Sequence, residues 1–290
     1  MDLNICLEPG ENYEADVKNL IQRAFDFGYE CIALNTVLDS SEVTGKKINI
    51  PEPKIVDFKV KTSRNFRILT RLTAVIKDGM HVHHILNSPI TKKYDILAFQ
   101  PVGSNMLHKV SEFDVDIISL NLTEDFGFRL KKTFVGPLIN KGKCLEITYA
   151  PCLRDQTMKR RTISNSQLLV EVTKSKNLII SSGATKPLEL RSVEDVENLG
   201  LLFGLKRNEA HAAVRKNGKL VLSHAGTRSK TGCGIVSITG MINLPKHQGW
   251  IIHACKVPKP SNTSAKLTDK RQREADSKND KSRKKNKVDS

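Results

Sequence analysis

Residues 94–122 read YDILAFQPVGSNMLHKVSEFDVDIISLNL and hold two short apolar runs, YDILAF at 94–99 and VDIISLNL at 115–122. The apolar residues in both runs are nearly continuous instead of alternating with polar ones. Strands that are buried on both faces of a parallel sheet have this pattern, whereas the strands of an antiparallel sandwich alternate. The stretch therefore predicts parallel β-strands and disfavours an antiparallel sandwich.

Similar runs recur on both sides of this stretch. They are LNICL at 3–7, ECIAL at 30–34, FRILT at 66–70, CLEITY at 144–149, NLIIS at 177–181 and KLVLSH at 219–224. Seven or eight strands that alternate with helical segments over about 250 residues match either an α/β barrel or an open doubly wound sheet. The number of strands favours a TIM-barrel-like α/β barrel, which we place in residues 1–250.

Helical patterns lie between many of these strands. The clearest is an apolar stripe with spacings of three and four residues, formed by Val17, Leu20, Ile21, Ala24 and Gly28. A second helix begins after Ser192, a residue type that caps free first-turn N–H groups, and its stripe consists of Val193, Val196, Leu199 and Phe203. A third begins near Asn208 and is predicted to end at Asn217 and Gly218, which tolerate a left-handed C-cap.

Two segments depart from this alternation. Residues 38–63 have turn residues, two prolines and little periodicity, so we expect a long, partly ordered excursion. Residues 256–290 contain almost no apolar residue and cannot offset their ordering entropy by burial, so we expect a disordered tail. The tail cluster of Lys281, Arg283, Lys284, Lys285 and Lys287 is similar to a nuclear import signal or an RNA-contacting tail, and the alternative is a tail that only increases solubility.

The chain is strongly basic. Its 47 Lys and Arg exceed its 31 Asp and Glu, which gives a formal charge of +16. The tail holds 12 Lys and Arg against 5 Asp and Glu, a net charge of +7 that leaves +9 on the rest. Such a field attracts polyanions, so nucleic acid is the first partner to consider, although charge also serves solubility or attraction to an anionic membrane.

The cysteines and the apolar segments bear on the compartment. The six cysteines, at positions 6, 31, 144, 152, 233 and 255, include no CxxC pair and no zinc-site spacing, so we expect small core residues in a reducing compartment. No segment approaches the roughly 20 apolar residues of a membrane span, and the N-terminal stretch lacks the features of a signal peptide. These features predict an intracellular, soluble protein.

Catalytic chemistry is hard to find in the sequence. An α/β barrel carries its active site at the carboxyl ends of its strands. The polar residues expected there are Asn35, Gln100, Asn121, Tyr149, Ser181, Ser182 and His224. They are poorly suited to a metal and include no pair of carboxylates, and the chain has neither a P-loop nor a GxGxxG loop. We therefore predict no catalytic residue, no metal site and no cofactor.

The densest group of histidines is HVHH at residues 81–84. An HxH spacing places two imidazoles on one side of an extended strand, as a metal site requires. However, this stretch follows Asp78 and Gly79 and precedes an apolar Ile-Leu pair, which favours the start of a helix with solvated histidines. Metal binding is kept as the alternative.

Basic residues occur next to predicted strand ends and helix starts, where free backbone N–H groups also suit phosphate contacts. These candidate RNA contacts are Lys159, Arg160, Arg161, Arg191, Arg215, Lys216, Arg228 and Lys230. Aromatic residues make up only 5% of the chain, which is too few for a base-stacking platform. Recognition of the shape and backbone of a folded RNA is the better prediction, and surface charge without a partner is the alternative.

Several long motifs occur in a recognisable order. They are ILTRLT at 68–73, YAP at 149–151, MKRR at 158–161, SSGATKPLELR at 181–191, DVENLGLLFGL at 195–205, AAV at 212–214 and HAGTR at 224–228. This pattern spans roughly residues 1–240 and resembles the barrel-type p30 subunit of nuclear ribonuclease P. The departures are HVHH, residues 239–250 and the basic tail.

The resemblance implies a TIM-barrel-like protein, in the nucleus and nucleolus, without catalysis of its own. It implies binding to the catalytic RNA that removes 5′ leaders from precursor tRNA, membership of RNase MRP, and pairing with a small RRM-like protein subunit. It also implies RNA contacts at Arg160, Arg161, Arg191 and Arg228. The implied fold is similar to that of metal-dependent PHP phosphoesterases, whose first strand supplies an HxH pair. Asp2, Leu3 and Asn4 occupy this strand here, so the metal ligands are absent.

Two other functions stay open at this point. One is a metal-dependent phosphoesterase on the same fold, which stoichiometric zinc or manganese in the purified protein would support. The other is a barrel that acts mainly as a protein scaffold while only the tail touches RNA. Loss of RNA binding on deletion of 256–290 would support the scaffold.

Overall fold

The computed structural model describes residues 1–7, 13–39, 49–54, 56, 66–128, 130–232 and 236–237. Seven parallel strands form one sheet, in which each strand pairs with the next along the chain. They are β1 (Asp2–Cys6), β2 (Cys31–Leu38), β3 (Arg67–Ile76), β4 (Ile96–Pro101), β5 (Ile117–Ser119), β6 (Cys144–Thr148) and β7 (Leu178–Ser181). A short antiparallel pair follows, β8 (Thr231–Gly232) and β9 (Val236–Ser237).

Helices connect the strands and continue beyond β7. They are α1 (Tyr13–Asp26), α2 (Gly79–Asn87), α3 (Ser104–Val110), α4 (Lys132–Asn140), α5 (Pro151–Arg154), α6 (Gln156–Thr173), α7 (Val193–Leu202), α8 (Arg207–His211) and α9 (Asn217–Lys230). Two 3₁₀ turns lie at Thr91–Lys93 and Pro187–Glu189, and a π-helical segment, Ala212–Lys216, joins α8 to α9. None of the described helices is long and apolar enough to cross a membrane.

The sheet closes through the segment that follows β7. An isolated parallel bridge joins Ile5 of β1 to Ala184. The amide of Gly183 donates to the carbonyl of Asn4 at 2.8 Å, and the hydroxyl of Ser182 donates to the same carbonyl at 2.9 Å. The seven strands therefore form a nearly closed α/β barrel, as predicted, and the open doubly wound sheet is excluded.

The outer face of the barrel packs against the helices, and α1 shows how. Val17, Leu20, Ile21 and Ala24 are buried, as their spacing predicts. Gly28 does not belong to this stripe. It is exposed beyond the end of the helix with a φ of +83°, a left-handed conformation that glycine adopts without strain.

The start of α7 also agrees with the sequence. The Ser192 hydroxyl accepts a hydrogen bond from the amide of Asp195 at 3.2 Å, so Ser192 is the N-cap. The predicted stripe packs on the core: Val193, Val196 and Phe203 are buried and Leu199 is partly buried.

The predicted strand KLVLSH at 219–224 is wrong, because these residues belong to α9. The helix that begins near Asn208 does not end at Asn217 and Gly218 either, because the π-helical segment leads directly into α9. Both residues serve tertiary contacts instead. The Asn217 amide donates to the carbonyl of Leu178 at 2.7 Å, and a Cβ on Gly218 would lie 3.3 Å from the sulfur of Met1.

α9 closes the barrel interior at the amino ends of the strands. Its buried residues Val221 and Ala225, four positions apart, join a small inner core. The strands contribute Leu3, Ala33, Ile96, Ala98, Ile117, Cys144 and Ile179 to this core. The segment predicted as an eighth strand is therefore a helix that covers the amino-terminal end of the barrel interior.

The remaining sequence predictions are tested only in part. Cys31 and Cys144 are buried and free, and Cys6 and Cys152 are partly buried and free, so these four are not a disulfide framework. Cys233 and Cys255 lie outside the described residues, as do the tail at 256–290 with its import cluster and most of the excursion at 38–63.

Candidate nucleic-acid interface

The basic run Lys159–Arg161 lies in the second turn of α6. The N-cap of this helix is Asp155, whose carboxylate accepts hydrogen bonds from the amides of Met158 and Thr157 at 3.1 and 2.8 Å. These bonds to Met158 and Thr157 lower the pKa of Asp155. Lys159, Arg160 and Arg161 are all exposed, and within the described part of the chain none of them forms an ion pair.

The opposite face of α6 holds this run in place. Thr162, Ser166 and Leu169 are buried against the barrel. The Asn165 amide donates to the carbonyls of Leu122 and Glu124, at 2.9 Å each, which ties the helix to the segment after β5. The three cations therefore project from a fixed helix, an arrangement that suits phosphate contacts.

Arg191 is less available to a partner. Its Nη1 donates to the carbonyls of Leu188 and Leu190 at 2.7 and 2.9 Å, so the side chain supports the 3₁₀ turn that precedes it. Its backbone is held between two tyrosines, since the Tyr29 hydroxyl donates to its carbonyl and its amide donates to the Tyr149 hydroxyl. The residue is partly exposed and combines a structural role with a cationic surface.

Arg215 and Lys216 differ in their surroundings. The Nε of Arg215 lies 2.6 Å from an oxygen of Glu197 and its Nη2 lies 3.0 Å from Glu194, so two carboxylates of α7 balance its charge. The hydrogen bond that Arg215 donates to Glu197 raises the pKa of Arg215. Lys216 is exposed beside it.

The Arg228 side chain is mostly buried and ion-paired. Its side chain is only 11% exposed, its Nε lies 3.0 Å from Asp116, and its Nη2 donates to the carbonyl of Asp95 at 3.2 Å. The fully buried Asp116 also accepts from the amide of Leu97. The arginine thus fastens α9 to the amino ends of β4 and β5. Lys230 is the last residue of α9, and its side chain lies outside the described part.

His224 was predicted at the carboxyl end of a strand, and the structure corrects this position too. It belongs to α9, where its Nδ1 lies 2.7 Å from Asp116 and its Nε2 lies 3.3 Å from Asp114. The hydrogen bond to Asp116 raises the pKa of His224 against the opposing effect of burial. With a carboxylate at each ring nitrogen, the doubly protonated imidazolium is favoured.

This contact predicts a pH-dependent stability. Because the folded state raises the pKa of His224, its contribution is complete below the unfolded value, near 6.5, and is lost as the pH rises through the folded value. Denaturant titrations from pH 6 to 8.5 should show wild type losing more stability than His224→Gln. The exposed His211 supplies the control, since His211→Gln should keep the wild-type profile. Parallel profiles for wild type and His224→Gln would contradict this account.

The barrel interior contains an ion pair that the site predictions missed. Arg71 of β3 and Glu146 of β6 are fully buried, and each guanidinium Nη lies 2.6 Å from one carboxylate oxygen. Since β4 and β5 separate these strands in the sheet, the pair spans the interior. Burial raises the pKa of Glu146, but Arg71 and the Ser181 and Ser119 hydroxyls hold it below its ordinary value.

Of the predicted strand-end residues, Ser181 and Asn35 belong to the buried hydrogen-bond network of Arg71 and Glu146, Asn35 through Thr73, whose hydroxyl accepts from the Arg71 Nε. Ser181 binds Glu146, Ser182 closes the barrel seam, and Tyr149 binds the backbone of Arg191. Asn35 is buried and shares hydrogen bonds with Thr73 and Asn4, while Asn121 accepts from its neighbour Thr123. Gln100 is partly buried on β4.

A cavity of about 720 Å³ lies at the carboxyl ends of β1 and β2, and its lining includes Lys54, Arg154 and Cys6. Burial raises the pKa of the Cys6 thiol to about 11, so the thiol is protonated and a poor nucleophile at neutral pH. The lining residues contribute no carboxylate. Among the described residues, the lining of this cavity therefore holds no pair of groups that could act as general acid and general base.

A family model described as RNase P subunit p30 matches residues 1–230. This chain belongs to that family. It is 38% identical over 243 residues to ribonuclease P protein subunit p30 of Mus musculus. That alignment covers 81% of this chain and 89% of the relative. It is 27% identical over 210 residues to ribonuclease P/MRP protein subunit RPP1 of Saccharomyces cerevisiae, 70% of each chain.

Among solved structures, a chain of archaeal ribonuclease P with mature tRNA shares the fold, with a TM-score of 0.58 at 12% identity. The match covers 82% of this chain and 98% of that chain. As a p30-family member, the chain is a protein subunit of ribonuclease P.

Several of the motifs on which the family resemblance rests stabilise the barrel. SSGA at 181–184 closes the seam, HAGTR at 224–228 anchors α9, and ILTRLT at 68–73 supplies Arg71. In β1, the buried Asp2 accepts a hydrogen bond from the amide of Ser182 at 3.0 Å. Burial raises the pKa of Asp2. The first strand of this p30-family chain thus contributes to the seam.

The HVHH stretch lies on α2 and not on a strand. Asp78 is the N-cap of α2, and its carboxylate accepts a hydrogen bond from the amide of Met80. The prediction of a helix start is therefore confirmed. His83 and His84 are exposed, and the His83 ring meets the Phe113 ring edge-on, 5.1 Å between centroids. Within the described residues, no group of three or more His, Cys, Asp or Glu is arranged to hold a metal ion.

Proposed function

We propose that this p30-family chain is a non-catalytic, RNA-binding subunit of the ribonuclease P particle that removes 5′ leaders from precursor tRNA. The observation that carries the RNA-binding role is the exposed cationic run Lys159–Arg161, three consecutive residues of one helix that form no ion pair within the described part of the chain. Phosphates neutralised by such side chains release counterions, which gives affinity without base stacking.

We infer from the barrel interior that the chain has no catalytic role of its own. In α/β barrels the reacting groups project from the carboxyl ends of the strands. Here Arg71 and Glu146, which span the interior, satisfy each other and are closed to solvent. A carboxylate held this way is a poor general base, because its lone pairs are already occupied.

We assign the RNA contacts to Lys159, Arg160 and Arg161 first, and to Lys216 and Arg191 second. Arg215 and Arg228 are left out of this assignment, because carboxylates already balance both charges. Lys230 and the tail cluster Lys281–Lys287 stay predictions from sequence. Each assigned residue is exposed or partly exposed.

The proposed partners are ribonuclease P RNA, RNase MRP RNA and a small RRM-like protein subunit, in the nucleus and nucleolus. The name of the yeast relative, a ribonuclease P/MRP subunit, supports membership of both particles. The net charge of +16 fits a polyanionic partner.

The test is to purify the tagged full chain from nuclear extract, sequence the bound RNA, and assay precursor-tRNA 5′ cleavage before and after nuclease treatment. Recovery of ribonuclease P or MRP RNA, with cleavage that the nuclease abolishes, is the expected result. Cleavage that survives RNA removal, with stoichiometric metal, would revive the phosphoesterase. Absence of both RNAs would overturn the proposal.

A further inference from the structure

Leu188 is 82% exposed, which makes it the most exposed large apolar side chain in the described part of the chain. It lies in the middle of the 3₁₀ turn Pro187–Glu189, between β7 and α7. A single exposed leucine is ordinary on a protein surface. Leu188 is unusual because several hydrogen bonds hold the turn in which it lies.

Several hydrogen bonds fix this turn. Glu189 accepts from the Nε and Nη2 of Arg154 at 2.6 and 2.8 Å and from the amide of Thr185 at 2.8 Å. The carbonyl of Leu188 itself accepts from Arg191 at 2.7 Å. A turn held in this way loses little backbone conformational entropy when a partner covers it, and preorganisation of this kind favours binding.

Two further exposed apolar residues flank the same ion pair. Leu153 precedes Arg154 in α5, and Met158 lies in the first turn of α6; each is 41% exposed. Leu153 and Leu188 each precede, along the chain, one member of the Arg154–Glu189 ion pair, which brings the two backbone segments together. Leu153, Met158 and Leu188 form what we call the apolar patch.

The exposed charges next to the apolar patch are mainly positive. Lys186 and Lys159 are exposed next to it in sequence. Two carboxylates lie nearby along the chain: Glu189, whose charge Arg154 balances, and the exposed Asp155, which caps α6. The rim is therefore mainly cationic, and it fits a partner surface that carries carboxylates around an apolar pocket.

We propose that the apolar patch docks a protein partner that offers an apolar pocket rimmed by Asp and Glu. A protein is favoured over RNA because the patch consists of aliphatic side chains and methionine, which offer bases no stacking surface. The inference rests on the proposed function in one respect: the partner belongs to the same particle. It places that partner beside the RNA-contacting run on α6.

The test introduces a photoreactive benzophenone amino acid at position 188 of the tagged full chain, with position 220 as the control. Leu220, on α9, is 50% exposed and lies outside the patch. Irradiation of the purified particle should give a nuclease-resistant adduct at 188 with another protein, at least tenfold above the control. The cross-linked peptide should combine apolar and acidic residues.

Substitutions provide a second readout. Leu188→Asp should lower recovery of that protein at least tenfold, while Leu220→Asp and the conservative Leu188→Met leave it unchanged. A nuclease-sensitive adduct, an adduct with a second copy of this chain, or no adduct above the control would overturn the inference. An adduct at 188 in a preparation lacking ribonuclease P and MRP RNA would support the docking surface while overturning the proposed function.

Discussion

Glu146→Leu should lower the free energy of unfolding by about 3–5 kcal/mol, because it leaves the Arg71 guanidinium buried without a counter-charge. Both side chains have no solvent exposure, so water cannot replace the lost carboxylate. Arg71 would keep its contacts with the carbonyl of Leu3 and the hydroxyl of Thr73, which satisfy dipoles but not the charge. Urea or guanidinium titration followed by circular dichroism measures the loss.

The matched control is the double variant Arg71→Met, Glu146→Leu. Replacing both members of a buried pair with apolar residues of similar volume is often neutral, so this variant should regain most of the lost stability. Glu52→Gln removes a carboxylate from the exposed pair with Lys93 and should change stability little. If the single variant were as stable as wild type, or the double variant less stable than the single one, the pair would not act as described.

The parallel strands could be predicted from sequence because each is largely buried on both faces, which leaves a nearly continuous apolar run. The same rule failed at residues 219–224, where KLVLSH forms part of α9. A short apolar run does not distinguish a strand from a buried helix segment. Here Val221 and Ala225 are buried one helical turn apart while Leu220 is exposed, which is a helical spacing.

The charged residues of the site were harder to predict, because their role depends on residues far away in sequence. Arg228 is one of several surface cations in the sequence, yet its partner Asp116 lies 112 positions earlier. Arg71 and Glu146 are 75 positions apart and meet only because the sheet curves into a barrel. The available signal was a charged residue directly after one apolar run, Arg71, and one inside another, Glu146, since an unpaired charge is almost never fully buried.

The exposure of Lys159–Arg161, the run to which we assign RNA contacts, is the part of the candidate site that sequence could predict. Three consecutive cations after a capping residue indicate an exposed helix turn wherever the helix packs, and the structure keeps all three exposed. The sequence could not show that Arg215 and Arg228, unlike this run, are ion-paired. Exposure and ion pairing, and not the number of positive charges, distinguish the candidates for phosphate contact.

The triple variant Lys159→Ala, Arg160→Ala, Arg161→Ala should weaken binding to ribonuclease P RNA by about a hundredfold near 0.15 M salt, if each side chain neutralises one phosphate. The slope of log K against log salt should become shallower by about 2–3, because fewer counterions are released. Fluorescence anisotropy of labelled RNA with the purified full chain, from 50 to 300 mM KCl, measures both quantities. All three residues are exposed, so the fold should be unaffected.

A second triple variant, Lys77→Ala, Lys92→Ala, Lys109→Ala, removes the same charge from exposed positions elsewhere on the barrel. If binding reflects only the net charge of +16, both triples lose the same affinity and the same slope. If phosphates contact α6, the control keeps most of the slope and the first triple does not. Equal losses would show a diffuse electrostatic attraction and would remove the assignment of RNA contacts to Lys159, Arg160 and Arg161.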